Sequence, residues 1–276
     1  MNVFKEQCIA LRKKGYSITE IVMATGRAKS SIYPYIKDIS LSKERIRQYK
    51  IASGERIRKF ALARKGKSVR AFKTFDAWSA NAVLLVAHLL FDGEIARTRC
   101  TYNNRSTALV ERVEQLMREW YDFEPRRYYN KMTGVSRISY NNVALSLYLN
   151  EKSKELLRII KHASLDWKRE FLRAFFDDEG CIDYRPEENR RSVRGYQKDV
   201  RILNLVRTIL VDVHIEARVV PPNEVVIVGK ENLMRFGKEI NFSPGVYMNG
   251  NRSNSRWKKD IEKRGLLKRA IKSFKN

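Results

Sequence analysis

The sequence predicts an α+β protein: a small all-α helix-turn-helix domain followed by two pseudo-twofold-related copies of a helix-β-β-helix-β-β-helix (αββαββα) unit. Three observations carry that expectation. Two apolar stretches of helical length end alike, Leu85-Val86-Ala87-His88-Leu89-Leu90-Phe91-Asp92-Gly93 and Leu172-Arg173-Ala174-Phe175-Phe176-Asp177-Asp178-Glu179-Gly180. Each closes on an acid followed by glycine, with a small residue, Ala87 or Ala174, five positions before that acid. Behind each, strand-like and helix-like segments return in one order, as an internal duplication requires. Helix ends carry partial negative charge, so a carboxylate there typically costs a few tenths to ~1 kcal/mol. Two such acids at matched positions suggest that something positive sits between them. The glycines suit the left-handed position that stops a helix.

Residues 1–40 read as three short helices. Phe4, Cys8, Ile9 and Leu11 give the first an apolar face, and Gly15 ends it. Ser17-Ile18-Thr19-Glu20 is a capping box for the second, which stops at Gly26. The third, over 29–37, turns Ile32 and Ile36 inward and contains Pro34, which either kinks it or starts a new first turn. This is the helix-turn-helix pattern, and it resembles the resolvase and transposase class of such domains. Lys29, Ser30, Ser31 and Tyr33 then lie along the recognition helix, able to reach phosphates and base edges.

Residues 41–78 are a basic linker, dense in Lys and Arg and without a sustained apolar period. The whole chain holds 56 Lys+Arg against 31 Asp+Glu, a formal net charge of +25 over 276 residues. An excess of this size favours a polyanion as partner, with nucleic acid first. Cys8, Cys100 and Cys181 are odd in number and unpaired in spacing, which excludes a disulfide framework or zinc cluster and suits a reducing cytoplasm. The longest apolar run, 82–91, is interrupted by His88 and falls short of the ~20 residues that span a bilayer. No membrane partner is expected.

The first repeat is assigned to 79–165, with Ser79 as N-cap of its first helix. Residues 94–102 read as one alternating strand placing Arg97, Arg99 and Thr101 on one face. A helix over 106–119, strands over 126–130 and 135–140 and a short helix over 142–149 follow. The second repeat is assigned to 166–243, with strands over 181–184 and 192–197, a helix bearing Ile202, Leu203, Val206, Ile209 and Leu210, strands over 217–220 and 224–228, and a helix over 231–240. Arg97, Arg99, Arg127, Lys131, Arg137, Arg194 and Arg218 are expected on the outward strand faces, where a twisted sheet would present them to the major groove. Residues 244–276 form a basic C-terminal helix from Arg256, carrying Trp257, Ile261, Leu266, Leu267 and Ile271.

Both acid-glycine stretches resemble the LAGLIDADG signature, and residues 79–270 resemble the LAGLIDADG (dodecapeptide) homing endonucleases in their single-chain, two-motif form. Phe171 to Ile182 carries the closer match; His88 to Ile95 matches from Leu89 onward. The resemblance implies that the two signature helices pack side by side, that Ala87 and Ala174 let their backbones approach, and that Asp92 and Glu179 meet. Like charges so placed repel unless a cation bridges them, and hard oxygen ligands without His or Cys favour Mg²⁺, with Mn²⁺ as a substitute. From the residues alone Asp177 and Asp178 are candidates as well; the family register puts Glu179 at the metal, Asp177 in the motif interior and Asp178 at its flank. The resemblance further assigns Gln197 and Arg201, with Lys198 nearby, to the surroundings of the reacting water, offers Asn104 as the first-copy counterpart of Gln197, and makes Lys258 or Lys259 a candidate lysine.

The function implied is a monomeric, sequence-specific double-stranded DNA endonuclease acting in the cytoplasm at the nucleoid, an organellar home being compatible. Two rival readings accompany it. One is a decayed DNA-binding transcription regulator, since the chain also resembles, in reversed order, a bacterial sporulation regulator on this fold. The other is an RNA maturase acting on intron RNA, with the gene part of a mobile element.

Overall fold

The protein is represented by a computed structural model that describes residues 3–64, 71–248, 257 and 259–274, with the side chains of 57–64 outside the description. The chain divides into two compact units, Met1–Val69 and Arg70–Asn276.

In the first unit the helices are α1 (Val3–Lys13), α2 (Ile18–Thr25), α3 (Lys29–Ile36) and α4 (Lys43–Arg64). Cys8, Ile21, Ile32 and Ile36 form its small core. The capping box is complete: Glu20 N–H donates to Ser17 Oγ at 3.2 Å and Ser17 N–H to Glu20 Oε2 at 2.7 Å. Gly26 takes the left-handed conformation that ends α2 (φ 66°). Pro34 lies inside α3, where the helix runs on only two residues further and the missing N–H costs a single bond. The predicted linker is not a separate segment. Its first half is α4, and α4 is tied to the three-helix core: Arg45 Nε donates to Gly15 O at 3.2 Å, Arg45 pairs with Glu20, and Tyr49 hydroxyl bonds Glu20.

The second unit begins before the predicted boundary at 79. Phe75 N–H donates to Tyr148 hydroxyl at 2.8 Å, and Phe75 packs edge-on against Trp78, Trp120 and Tyr148. Then come α5 (Ala80–Phe91), β1 (Gly93–Ala96), β2 (Arg99–Asn104), α6 (Thr107–Trp120), β3 (Arg126–Asn130), β4 (Val135–Tyr140) and α7 (Val143–Ile159). The second copy runs α8 (Leu165–Glu179), β5 (Gly180–Arg185), β6 (Arg190–Tyr196), α9 (Val200–Asp212), β7 (Arg218–Val220), β8 (Glu224–Val228) and α10 (Lys230–Glu239). Two four-stranded antiparallel sheets result, ordered β1-β2-β4-β3 and β5-β6-β8-β7. The identical order is the duplication seen in three dimensions.

Two predicted elements differ. The single strand over 94–102 is a hairpin, because Ala96 pairs with Arg99 and the chain turns between them. The short helix over 142–149 continues to Ile159, since Ser153 and Leu156 extend its buried face. The predicted C-terminal helix also starts later: a two-stranded ribbon, β9 (Tyr247–Met248) with β10 (Ile261–Glu262), leads into α11 (Lys263–Lys272). Its predicted first residue, Arg256, lies outside the described residues.

A candidate active site at two paired helix ends

Helix α5 is apolar on every side from Ala82 to Leu89 and buried along that whole stretch, and its most extensive helix partner is α8. Ala87 and Ala174 are both fully buried, and Phe91 packs edge-on against Phe171 and Phe175 at centroid distances of 5.5 and 5.2 Å. Ser79 caps α5 by accepting the Ala82 N–H.

The glycines after the two acids have another purpose than the one predicted. Gly180 is extended (φ −93°, ψ 151°), not left-handed. A Cβ there would stand 2.3 Å from Phe176 O, and one at Gly93 would stand 2.4 Å from Leu89 O. Glycine is needed because the first strand residue folds back onto the carbonyl of its own helix. That close turn delivers Asp92 and Glu179, each half-buried, to the C-terminal ends of α5 and α8.

The surroundings of the two carboxylates are acidic and partly dry. Burial, then the charges of Asp178 and Glu179, push the Asp92 carboxyl up to about 8, against the opposing pull of Lys263 and of the Asn104 hydrogen bond. Burial and Asp178 push Glu179 up to about 7, again opposed by Lys263. Asn104 Nδ2 donates to Asp92 Oδ2 at 2.6 Å, while its Oδ1 accepts the Ser106 N–H at 2.8 Å, which fixes the amide's orientation. Asp178 has a fully buried side chain, held by His88 Nδ1 at 2.9 Å and by the Tyr102 hydroxyl at 2.6 Å. Asp177 turns the other way, accepts the Ser243 N–H at 2.8 Å and, being buried, is pushed up.

Three roles here escaped sequence reasoning. Asp178, a candidate from the residues alone that the family register sets at the flank, is a partner of the first repeat. His88 reads as an interruption of an apolar run and is its counterpart. Lys263 is buried, and its Nζ donates to Asp177 O at 2.8 Å and Phe176 O at 3.3 Å, closing the carbonyl end of α8. Burial depresses its ammonium, and Asp177, Cys181, Asp178 and Asp92 pull it back. Its signal was available: Lys263 sits three and four positions before Leu266 and Leu267, on the apolar stripe of α11 where a lysine has no place without a partner. The predicted lysines fare differently, Lys258 lying outside the described residues and Lys259 being exposed.

The other predicted site residues are scattered. Gln197, just past β6, accepts the Asp199 N–H with Oε1 at 3.4 Å, and Lys198 is exposed. Arg201 has an 87% exposed side chain and pairs with Asp199, the N-cap of α9, at 2.7 Å. Lys29, Ser30, Ser31 and Tyr33 are all exposed on α3.

Strand register sorts the basic residues. Arg137 lies on the face turned from the helices and donates to Asn103 Oδ1 at 2.5 Å; Arg99 shares that face beside Glu94. Arg127 does not, because it pairs with core residue Ile138 and bonds Glu114 of α6 at 2.6 Å; Arg126 and Tyr128 take the outward positions instead. Arg97 is in the β1–β2 turn and Lys131 in the β3–β4 turn, both exposed. Arg194 and Arg218 face outward, but Arg194 is paired with Glu224 and, at 3.5 Å, with Asp183. The outward side of the second sheet is thus partly neutralised.

Among the described residues no group of three or more His, Cys, Asp or Glu forms a metal cage. The donor set nonetheless fits a hard divalent cation: two carboxylates whose protons are held by burial and by neighbouring acids, and a buried lysine already committed to helix carbonyls. Remaining ligands would come from water and phosphate oxygens, the usual habit of Mg²⁺.

Taken together, fold and site define a single-chain duplicated αββαββα protein with one carboxylate from each half at a paired helix end. Residues 166–241 match the family model described as LAGLIDADG-like domain. Among curated proteins, none matches the chain. Similar solved structures include mesophilic variants of the homing endonuclease I-DmoI, at 13% identity over 60% of this chain and 94% of that one, with a TM-score of 0.47. I-DmoI in complex with DNA and Mn is similar at 13% identity over 58% of this chain and 96% of that one, with a TM-score of 0.43. Full-length DUF199/WhiA from Thermatoga maritima is similar at 14% identity over 74% of this chain and 64% of that one, with a TM-score of 0.49. Likeness at these scores says nothing of activity. The second repeat is a LAGLIDADG-like domain, and the first, with the same sheet order and the same acid-glycine helix end, shares its fold.

Proposed function

We propose that this chain is a sequence-specific double-stranded DNA endonuclease that hydrolyses phosphodiester bonds with Mg²⁺, or Mn²⁺ in its place, held by Asp92 and Glu179. The observation that carries the reading is the pair itself: two carboxylates, one from each repeat, at adjoining helix ends, with proton affinities raised by burial and by the neighbouring acids, Asp178 above all. A bound divalent ion would stabilise the leaving oxygen and lower the pKa of a reacting water. The chain's own residues do the rest. Asn104 fixes the Asp92 carboxylate, Lys263 closes the end of α8 beneath both acids, and the outward arginines of the first sheet and the exposed face of α3 contact phosphates and base edges. The protein would act as a monomer in a reducing compartment, consistent with its three free cysteines.

A second reading, a DNA-binding regulator that does not cut, is favoured by one observation. Gln197, the counterpart of Asn104, is engaged with the Asp199 N–H and Arg201 with the Asp199 carboxylate, so among the described residues neither is bonded to Asp92 or Glu179. One experiment separates the two. The protein is incubated with a plasmid library carrying randomised inserts, with Mg²⁺ or with EDTA, and cut ends are sequenced. The endonuclease reading expects a single enriched site cut only with Mg²⁺, and cutting lost in Asp92→Asn and in Glu179→Gln. Retention of a defined sequence without any cutting would establish the regulator, and cutting that persists in both variants would remove the metal assignment.

A further inference from the structure

The helix pair is symmetric in backbone and opposite in chemistry on its two sides. Counting back from Asp92 and Glu179, His88 in the first repeat stands where Phe175 stands in the second, and Phe91 where Asp178 stands. On the strands, Tyr102 pairs with Gly93 as Gly195 pairs with Gly180. One side is therefore a polar trio, His88, Tyr102 and Asp178, with the imidazole edge-on to the phenol at 5.7 Å. The other is an apolar trio in which Phe91 packs on Phe175 and Phe175 lies over Gly195, so closely that a Cβ there would stand 2.4 Å from the ring. The polar trio does not end at Asp178. Tyr102 hydroxyl also accepts from Asn104 Nδ2 at 3.3 Å, and the same Nδ2 donates to Asp92.

We infer that His88, Asp178, Tyr102 and Asn104 form a positioning network that crosses from α8 to α5 and holds the Asp92 carboxylate in place, a constraint with no counterpart at Glu179 among the described residues. The inference rests on the endonuclease reading for its catalytic consequence, though not for its geometry. Donors in line fix acceptors: among the described residues His88 has no polar partner but Asp178, Asp178 leaves the Tyr102 hydroxyl a single direction for its proton, and the phenol oxygen is thereby turned to accept from Asn104. A partner one bond removed from a ligand, as Asn104 is from Asp92, changes metal affinity by roughly 10–100-fold when lost, and Tyr102 acts by orienting Asn104. The two carboxylates thus differ in rigidity, and the two DNA strands would be cut at unequal rates.

The test uses the full chain and Tyr102→Phe, which deletes one oxygen and no volume. Tyr140→Phe is the control, since the Tyr140 hydroxyl is buried without a partner and its loss should change nothing. In the metal-free protein the side-chain amide of Asn104 is followed by nitrogen-15 NMR. Its protons should be shifted downfield and protected from exchange in the wild type and in Tyr140→Phe, and lose both properties in Tyr102→Phe. Mn²⁺ affinity, measured by electron paramagnetic resonance, should fall about tenfold in Tyr102→Phe alone, and strand-resolved nicking should slow on one strand only. An Asn104 amide indifferent to Tyr102→Phe overturns the network. If the wild type neither binds Mn²⁺ nor nicks DNA, the endonuclease reading falls, and the network stands or falls on the amide.

Discussion

Asp92 and Glu179 keep their protons to about 8 and about 7 because they are half-dried and because both feel the charge of Asp178. Linkage then fixes a sign. Between the ordinary carboxylate range, about 4, and 8, the folded state holds protons that the unfolded chain has shed, so stability falls as pH rises through that window and the loss is complete above it. In metal-free protein, Asp92→Asn should therefore gain on the wild type as pH rises, by on the order of 1 kcal/mol at pH 8 after allowance for residual solvent. Urea unfolding at a series of pH values measures this; a wild-type curve parallel to that of Asp92→Asn would contradict it. Saturating Mg²⁺ should reverse the wild-type slope, because a cation that binds the ionised pair stabilises more as the pair ionises. At this scale the sequence was legible in part. An acid before a glycine is visible in one dimension, so Asp92 and Glu179 could be picked out. Asp178 was a candidate too, but its part could not be read, since that depends on His88 and Tyr102, which meet it only once the two repeats have packed.

Helix termini do most of the positioning in this protein, and each is finished by a different device. Ser17 and Glu20 cap α2, Ser79 caps α5, and Lys263 supplies the carbonyl end of α8 with the protons its last turn lacks. Lys263→Met keeps the length and apolar stem of the side chain and removes only the donor. Taking the lysine's donor from the buried Asp177 carbonyl, and leaving Phe176 O with the Gly180 N–H, should cost roughly 1–3 kcal/mol, read as a lower urea midpoint with far-UV circular dichroism unchanged. It should also raise the pH at which Asp92 and Glu179 ionise, since both feel the ammonium. A midpoint equal to the wild type's would show that the carbonyls do not need it. Elements with a strong period were readable: α9, β4 and β8 stand where alternation and apolar spacing put them. The β1–β2 hairpin was not, because its turn at Arg97-Thr98 holds no glycine, proline or asparagine to mark it, and the strand pattern runs through it unbroken.

Across the duplicated unit, charge is distributed less evenly than fold. The first sheet's outward face keeps Arg137 beside a neutral partner, Asn103, whereas Arg194 on the second is held by Glu224 and Asp183. Under the DNA-binding reading, Arg137→Ala should weaken binding and reduce the slope of log affinity against log salt by about 1. Arg127→Ala, whose guanidinium serves Glu114 on the helix side, should leave that slope alone and lower stability instead. Fluorescence anisotropy across a KCl series distinguishes them, and equal slopes for the two variants would refute the sorting by strand face. Net charge of +25 suits a polyanion partner but cannot say which arginines are free to meet one; that depends on strand register, where a slip of one residue exchanges the faces.

The unlike trios beside the helix pair also decide which halves can associate. Two copies of the first repeat would set Phe91 against His88 and Tyr102, leaving buried polar atoms with nothing to bond. Two copies of the second would press Asp178 onto Phe175 and Gly195, a buried carboxylate without a partner, and removing the mate of such a charge costs about 3–5 kcal/mol. Neither half is self-complementary, while each complements the other. The single chain is therefore more than a homodimer with its subunits joined: it is an obligate hetero-pair, and severing the link between α7 and α8 would yield two fragments that recognise each other and refuse themselves.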